Sequence, residues 1–365
     1  MVELFESVPN FSEGRRQDVI ADLVDAGRRA HFLDGDADSD HNRYVLTLAG
    51  TRSKLVEAVV STVGTAAEKI DLRSHSGVHP RVGAADVVPI IPLGDATLET
   101  AREIAREVGE RIWREVKVPV FYYGHGEGRR LADIRAGRAK PDVGGPDLHP
   151  TAGAVSVGAR PFLVAFNVIL YDFDLVAARA LARSLRESAD GLRGVQALAF
   201  QLPGDRVQLS MNLFRLDETR PADVLLELQR RGVSIGAEQV VGLSPAFAAS
   251  QAAAGRVLEG RLVAVAAGMG ARRTRQMADE EYRALATRLM RTADAMLALD
   301  VDQDAVLAAA EQAAALIPVL RAGRVLDEEM ESLLRIAARG LRQAVLPATE
   351  AIYRARVDAL DARLV

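Results

Sequence analysis

The middle of the chain alternates apolar and polar positions most regularly. Phe162–Ile169 (FLVAFNVI) reads as a strand, and Leu175–Arg186 follows with helical spacing. Val195–Leu202 and Val207–Leu213 alternate on either side of Pro203-Gly204-Asp205, a hairpin signal. Pro221 opens a helix that runs to about Arg231, and Gln239–Leu243 closes the set as a short strand. That order, βαββαβ, predicts a ferredoxin-like, split-βαβ subdomain. Upstream, Val2–Val8, Tyr44–Ala49, Asp86–Ile91 and Val118–Tyr123 read as strands, and Arg15–Arg28, Arg52–Ile70 and Thr97–Arg114 as helices. Downstream, helical spacing recurs near 278–298, 303–321, 326–344 and 348–363.

The expected fold class is α+β. Two ferredoxin-like or split-βαβ subdomains, over 1–160 and 161–260, would form a crevice, with an all-α extension over 270–365. Residue usage shifts at the same place. All six histidines lie in the first 149 residues, and after residue 250 there is no His, Trp or Phe. Chemistry is expected upstream of the helical tail.

Composition narrows the function classes. A formal net charge of −4 argues against the basic footprint of a nucleic-acid binder. The absence of cysteine removes thiolate metal sites and a thiol nucleophile. No signal-like start and no apolar run near the roughly 18 residues of a membrane helix are visible, so a soluble cytoplasmic protein without membrane partners is expected.

Four segments could carry chemistry. Asp34–Arg43 (DGDADSDHNR) invites a calcium-loop reading, but starting at Asp34 the sixth and twelfth positions are Ser39 and Val45, not Gly and Glu. The alternative is a polar turn feeding the strand at Tyr44. His75 and His79 have the spacing of a helical metal pair, yet Gly77 lies between them and Pro80 follows, so a loop presenting His79 beside Arg81 fits better. Tyr122–Gly128 is glycine-rich without the order of a phosphate cradle. Asp142–Gly153 is an irregular loop whose glycines permit close backbone approach to a flat ligand.

Together these stretches resemble the formiminotransferase domain of the formiminotransferase-cyclodeaminase family. The resemblance runs through VPNFSEG (Val8–Gly14), DSDHNRYVLTLAG (Asp38–Gly50), HSGVHPRVGAADVVPIIP (His75–Pro92) and PVFYYG (Pro119–Gly124). It continues through PDVGGPDLHPTAGAVSVGARPFLVAFNVIL (Pro141–Leu170) and, more weakly, VVGLSP (Val240–Pro245), covering about residues 1–250 in order. The resemblance implies a folate-binding crevice, a homodimer, and transfer of a formimino group from N-formiminoglutamate to N5 of tetrahydrofolate, which is a co-substrate. No metal is implied. His79 matches the catalytic histidine, Asp36 an acid lining the site, and Gly144, Gly145, Pro146, Asp147, Leu148, His149, Pro150, Thr151, Ala152 and Gly153 the folate-binding segment. His125–Arg130 departs from the family pattern. The short tail, without the longer glycine-rich opening of a cyclodeaminase domain, argues for a bracing or dimerising module rather than that second activity.

The implied chemistry suits these residues. One imidazole can take a proton from N5 and return it to the departing glutamate nitrogen, with Asp36 a candidate to orient the ring. The donor's carboxylates need cations, for which Arg43 and Arg81 are candidates, with Asn42 and Asn10 as polar contacts. The alternative for the arginines is a salt bridge to an aspartate of the 34–40 run. Two other functions remain open: formyl transfer between 5-formyltetrahydrofolate and glutamate, and folate binding without turnover.

Overall fold

The structure is a computed structural model that describes residues 2–127, 129–277, 279–345 and 351–364. It divides into two compact units. One comprises Glu3–Phe162 with the short segment Phe200–Gln208; the other comprises Leu163–Ala199 and the chain from Leu209 onward.

The first unit is built on a seven-stranded sheet. Strands β1 (Leu4–Ser7) and β2 (Asn10–Phe11) lie end to end between β4 (Arg43–Gly50) and β5 (Ala85–Leu93), antiparallel to both. Outside β4 is β3 (His31–Asp38). With helices α1 (Gln17–Ala26) and α2 (Arg52–Lys69) this makes a ferredoxin-like βαββαβ order. Helix α3 (Leu98–Val116) then leads to β6 (Val120–Gly124), and β7 (Val155–Ala159) inserts parallel between β5 and β6. The three helices cover one face. There Phe5, Phe11, Leu46, Leu48, Val88 and Ile90 of the strands pack with Leu23, Leu55, Val59, Ile104 and Val108 of the helices. The opposite face carries a smaller cluster of Val87, Phe121, Tyr123 and Ala154 beneath Ile134 of the short helix α4 (Leu131–Arg135).

The second unit contains a four-stranded sheet of order β11-β8-β10-β9, formed by β8 (Val164–Leu170), β9 (Val195–Gln201), β10 (Val207–Leu213) and β11 (Ile235–Val241). Helices α5 (Leu175–Leu185) and α6 (Pro221–Arg230) complete the ferredoxin-like plan expected from the hydrophobic pattern. The hairpin turn falls where Pro203-Gly204-Asp205 predicts it, with Gly204 and Asp205 both at positive φ. Helices α7 (Leu258–Arg275), α8 (Glu280–Leu297), α9 (Gln303–Ala322), α10 (Glu328–Ala344) and α11 (Ala351–Leu364) form the all-α tail. Asp302 and Asp327 cap α9 and α10 by accepting from Ala305 N at 3.0 Å and Met330 N at 2.8 Å. Helix α9 is long and apolar enough to cross a membrane by composition, with mean hydropathy 1.4, but half of it is buried inside the unit. Burial of that kind is the pattern of a core helix.

One local reading is corrected, and three further elements lie outside the expected set. The acidic run is not a turn from Asp34, because β3 continues to Asp38 before the chain turns over Ser39–Asn42. An outer strand tolerates charges that a central strand would not. Helix α7 was not predicted, since its Gly- and Ala-rich stretch has little apolar periodicity, and β7 and α4 were also not predicted. The expected helix starts at 278 and 348, and Gly128 of the glycine-rich segment, lie outside the described residues.

Candidate active site

The non-helical side of the first sheet is the candidate surface. Tyr44, Leu46 and Leu48 of β4 face the helices, so Arg43, Val45 and Thr47 face the other way. Their cross-strand partners share that side: Asp38 opposite Arg43, Asp36 opposite Val45, and Asp34 opposite Thr47. Asn10 is paired with Val45 from β2.

A bulge brings a carboxylate into this group. Asn10 opposes Val87 while Phe11 opposes Ala85, which leaves Asp86 as the extra residue of β5. Asp86 is fully buried. Its Oδ2 accepts from both Arg43 guanidinium ends at 3.0 Å and from Arg135 Nη2 at 2.6 Å, and its Oδ1 accepts from Val82 N at 2.7 Å. Two cations on one carboxylate leave net positive charge. Those cations hold the Asp86 carboxyl below its usual range against the upward push of burial, and burial lowers the basicity of Arg43. Half-buried Arg160 is hydrogen-bonded to Tyr123, whose hydroxyl burial pushes up to about 12.

His79 stands in the field of this cluster. It lies in the non-helical segment between α2 and β5, so His75 and His79 do not form a helical pair. The segment is pinned at many points. Asn42, at φ 49°, accepts from Gly14 N at 2.9 Å and donates to Ser76 O at 3.0 Å. His75 Nε2 meets the Asn42 carbonyl at 3.2 Å, while its Nδ1 is buried without a partner. Arg81 donates to the carbonyls of His79 at 2.9 Å and Gly77 at 3.3 Å.

His79 Nδ1 lies 2.7 Å from the Pro80 carbonyl. A carbonyl only accepts, so in the neutral ring Nδ1 carries the proton and the lone pair sits on Nε2. Burial, followed by the charges of Arg43 and Arg135, pushes the imidazole down to about 2 against the opposing pull of Asp86. The free protein therefore presents a neutral imidazole.

An aromatic wall completes the site. The His79 ring lies 6.1 Å from His41 and 6.1 Å from Phe200, and His41 meets Phe200 edge-on at 5.3 Å. His41 Nε2 is hydrogen-bonded to Gln208 Oε1 at 2.8 Å, and Arg206 pairs with Asp40 at 2.8 Å. Phe200, Arg206 and Gln208 come from the hairpin-turn segment that belongs to this unit.

The sequence-derived candidates divide as follows. Asp36 lies on the same sheet face as Arg43, but the carboxylate that acts on His79 is Asp86. Arg43 pairs with Asp86 rather than with the 34–40 run, and Asn10 orients it by accepting from its Nε at 3.1 Å. Arg81 and Asn42 direct their groups at the loop backbone. Of Gly144–Gly153, Gly144 rests on the Trp113 ring at positive φ, and Gly145-Pro146 is a cis peptide. His149 and Gly153 exchange backbone hydrogen bonds, and His149 Nδ1 accepts from Ala152 N at 3.1 Å. Asp147 and Leu148 are exposed, and Thr151 and Ala152 are tied to Leu72 and Ala84 through their carbonyls. Pro150 is the first residue within the turn that His149 and Gly153 close. Asp86, Arg135, His41, Phe200 and Gln208 were missed. A lone acid in the apolar run Ala84–Leu93 was a legible signal for Asp86, since a buried charge requires a partner; nothing local marked the others. Among the described residues no group of three or more His, Asp or Glu could hold a metal ion.

Comparison with known proteins gives consistent matches. Residues 4–160 match the family described as formiminotransferase domain, N-terminal subdomain. The chain is 37% identical over 276 residues to the glutamate formimidoyltransferase of Streptococcus pyogenes serotype M1, covering 68% of this chain and 91% of that protein. It is 38% identical over 270 residues to the glutamate formimidoyltransferase of Thermoplasma acidophilum, covering 67% and 89%. Against the formimidoyltransferase-cyclodeaminase of Rattus norvegicus it is 35% identical over 284 residues, 70% of this chain and 52% of that longer protein.

Proposed function

The chain belongs to the formiminotransferase family, and from that premise we propose that it transfers the formimino group of N-formimino-L-glutamate to N5 of tetrahydrofolate, with His79 moving the proton. The enzyme is a glutamate formimidoyltransferase, and tetrahydrofolate is its co-substrate. The observation that supports the mechanism is the contact of His79 Nδ1 with the Pro80 carbonyl at 2.7 Å, which turns the Nε2 lone pair outward among the charges of Arg43 and Arg135.

Transfer needs N5 to add to the amidine carbon, N5 to lose a proton, and the glutamate nitrogen to gain one as its bond to that carbon breaks. Nε2 of His79 accepts the first proton and returns it to the leaving nitrogen, so the ring ends as it began. A base held at very low pKa accepts protons poorly. The anionic donor corrects this, because its carboxylates offset Arg43 and Arg135 and raise the imidazole toward the range in which proton transfer is efficient. Asp36 lines the same face, and Arg43 and Arg81 supply positive charge toward the donor. The Gly144–Gly153 turn, with Leu148 exposed, offers backbone and apolar surface to the pterin. A homodimer rests on the family resemblance.

Supplying purified protein with N-formiminoglutamate and tetrahydrofolate tests the reading. Glutamate and 5-formiminotetrahydrofolate are expected in equal amounts. Turnover of 5-formyltetrahydrofolate with glutamate alone would replace this activity with formyl transfer, and folate binding without either product would make the chain a binder.

A further inference from the structure

We propose that Arg135 anchors a carboxylate of the amino-acid donor and so sets the preference for carboxylate-bearing donors over neutral ones, an assignment that rests on the formimino-transfer reading above.

Arg135 is the last residue of α4, and Ile134 beside it is buried in the small cluster with Val87, Phe121, Tyr123 and Ala154. That cluster fixes the helix on the sheet face opposite α1–α3 and delivers the guanidinium to Asp86. A guanidinium carries five N–H donors in a rigid fork. One Nη2 contact at 2.6 Å goes to Asp86 Oδ2, while the Arg135 Nε is buried and has no hydrogen-bond partner. A brace for Asp86 would not leave that donor unmet. Arg43 already approaches Oδ2 with two nitrogens, and Val82 N takes Oδ1, so Asp86 has its partners without Arg135.

The charge count points the same way. Arg43, Arg135 and Arg81 act on the same neighbourhood, and Asp86 is the carboxylate that answers them. Arg43 and Arg135 keep only 11% and 20% of their side-chain surface exposed, so water does little to screen the surplus. An arriving carboxylate supplies the missing negative charge and accepts from the guanidinium donors of Arg135 that Asp86 leaves over. In an N-formimino amino acid the amidine is attached to the carbon that bears the α-carboxylate. Anchoring that carboxylate at Arg135, whose charge acts directly on His79, places the amidine beside the base.

The test uses the full-length chain as wild type, Arg135→Gln and Arg135→Lys. L-glutamate binding is measured by calorimetry, and steady-state transfer from N-formiminoglutamate is compared with transfer from formamidine, which has no carboxylate. Loss of a charge-assisted pair predicts that Arg135→Gln weakens glutamate binding and raises the donor KM by about 10- to 100-fold. KM for tetrahydrofolate is expected to stay within about twofold, and the rate with formamidine is expected not to fall, because Arg135→Gln removes a charge that depresses His79; a general loss of structure would lower both. Arg135→Lys keeps the charge on Asp86 without the Nε fork, so it melts with the wild type yet still binds glutamate weakly. Glutamate affinity and donor KM unchanged in a folded variant would overturn the assignment and leave Arg135 as a brace. If only Arg135→Lys folds, its affinity decides. Wild type that binds glutamate through Arg135 but transfers nothing would sink the formimino-transfer reading and keep the anchor.

Discussion

Replacing Asp86 with asparagine removes the one negative charge at the centre of the cluster while nearly preserving shape. The asparagine oxygen can still accept from Val82 N, but its amide nitrogen then points a donor at two guanidinium groups. Those groups sit 3.0 Å and 2.6 Å from the atom replaced, at a site with no solvent exposure. Breaking a buried pair by removing one partner costs about 3–5 kcal/mol, because the remaining charge stays buried without compensation. For a unit the size of the first one that is a fall of about 6–20 °C in Tm, read by calorimetry. His79 also loses the Asp86 charge that favours its protonated form, so kcat falls as well. In an Asp86→Asn/Arg135→Gln double variant the losses should be less than additive, since the second substitution removes a charge the first has orphaned. A melting temperature within about 2 °C of wild type, equivalent to about 1 kcal/mol or less, would refute the reasoning by showing the guanidiniums are hydrated rather than paired.

Further expectations follow from single residues. The His79 imidazole is held far below its ordinary 6.5, so its NMR shift should not move between pH 8 and 5 in the free protein; titration near 6.5 would contradict the field assigned to Arg43 and Arg135. The sign is that the unfolded chain takes this proton first, so His79 lowers stability as pH falls below about 6.5, and His79→Ala should flatten that part of the profile. In the helical tail, Glu259 accepts from Ala246 N at 2.8 Å, packs against Gly340, and burial raises its carboxyl to about 7. Its folded pKa exceeds the unfolded one, so the second unit should lose up to about 3 kcal/mol between pH 4.5 and 7, a loss that Glu259→Gln removes. Equal pH slopes in the two proteins would count against a buried carboxyl there. Gly144→Ala puts a Cβ 2.4 Å from Trp113 at φ +76°, costing about 1–3 kcal/mol and raising KM for tetrahydrofolate; unchanged KM at lowered stability would separate the turn from folate.

The parts of the fold that the chain's pattern made legible are those whose periodicity is set by one buried face. Helix α2 and strand β10 match their expected spans because each residue there has a single exposed or buried role. Strand β3 was read as a turn because its aspartates contradict a core strand, and only its outer position makes them tolerable. Among the site residues, His79 was legible from its Gly- and Pro-flanked loop and from the family resemblance. Its controlling neighbours were not. Asp86 reaches the site through a bulge, Arg135 through a five-residue helix, and Phe200 from the end of strand β9, more than a hundred residues downstream. Such placements depend on pairing between distant segments, which local spacing does not encode.

The central claim is that His79 carries the proton in formimino transfer. Its most direct test is single-turnover and steady-state transfer from N-formiminoglutamate to tetrahydrofolate by wild type and His79→Ala, with tetrahydrofolate binding measured on both. The account predicts a kcat lower by about 10²–10⁴ in the variant, with folate affinity within a few-fold of wild type. A variant that turns over at the wild-type rate would contradict it.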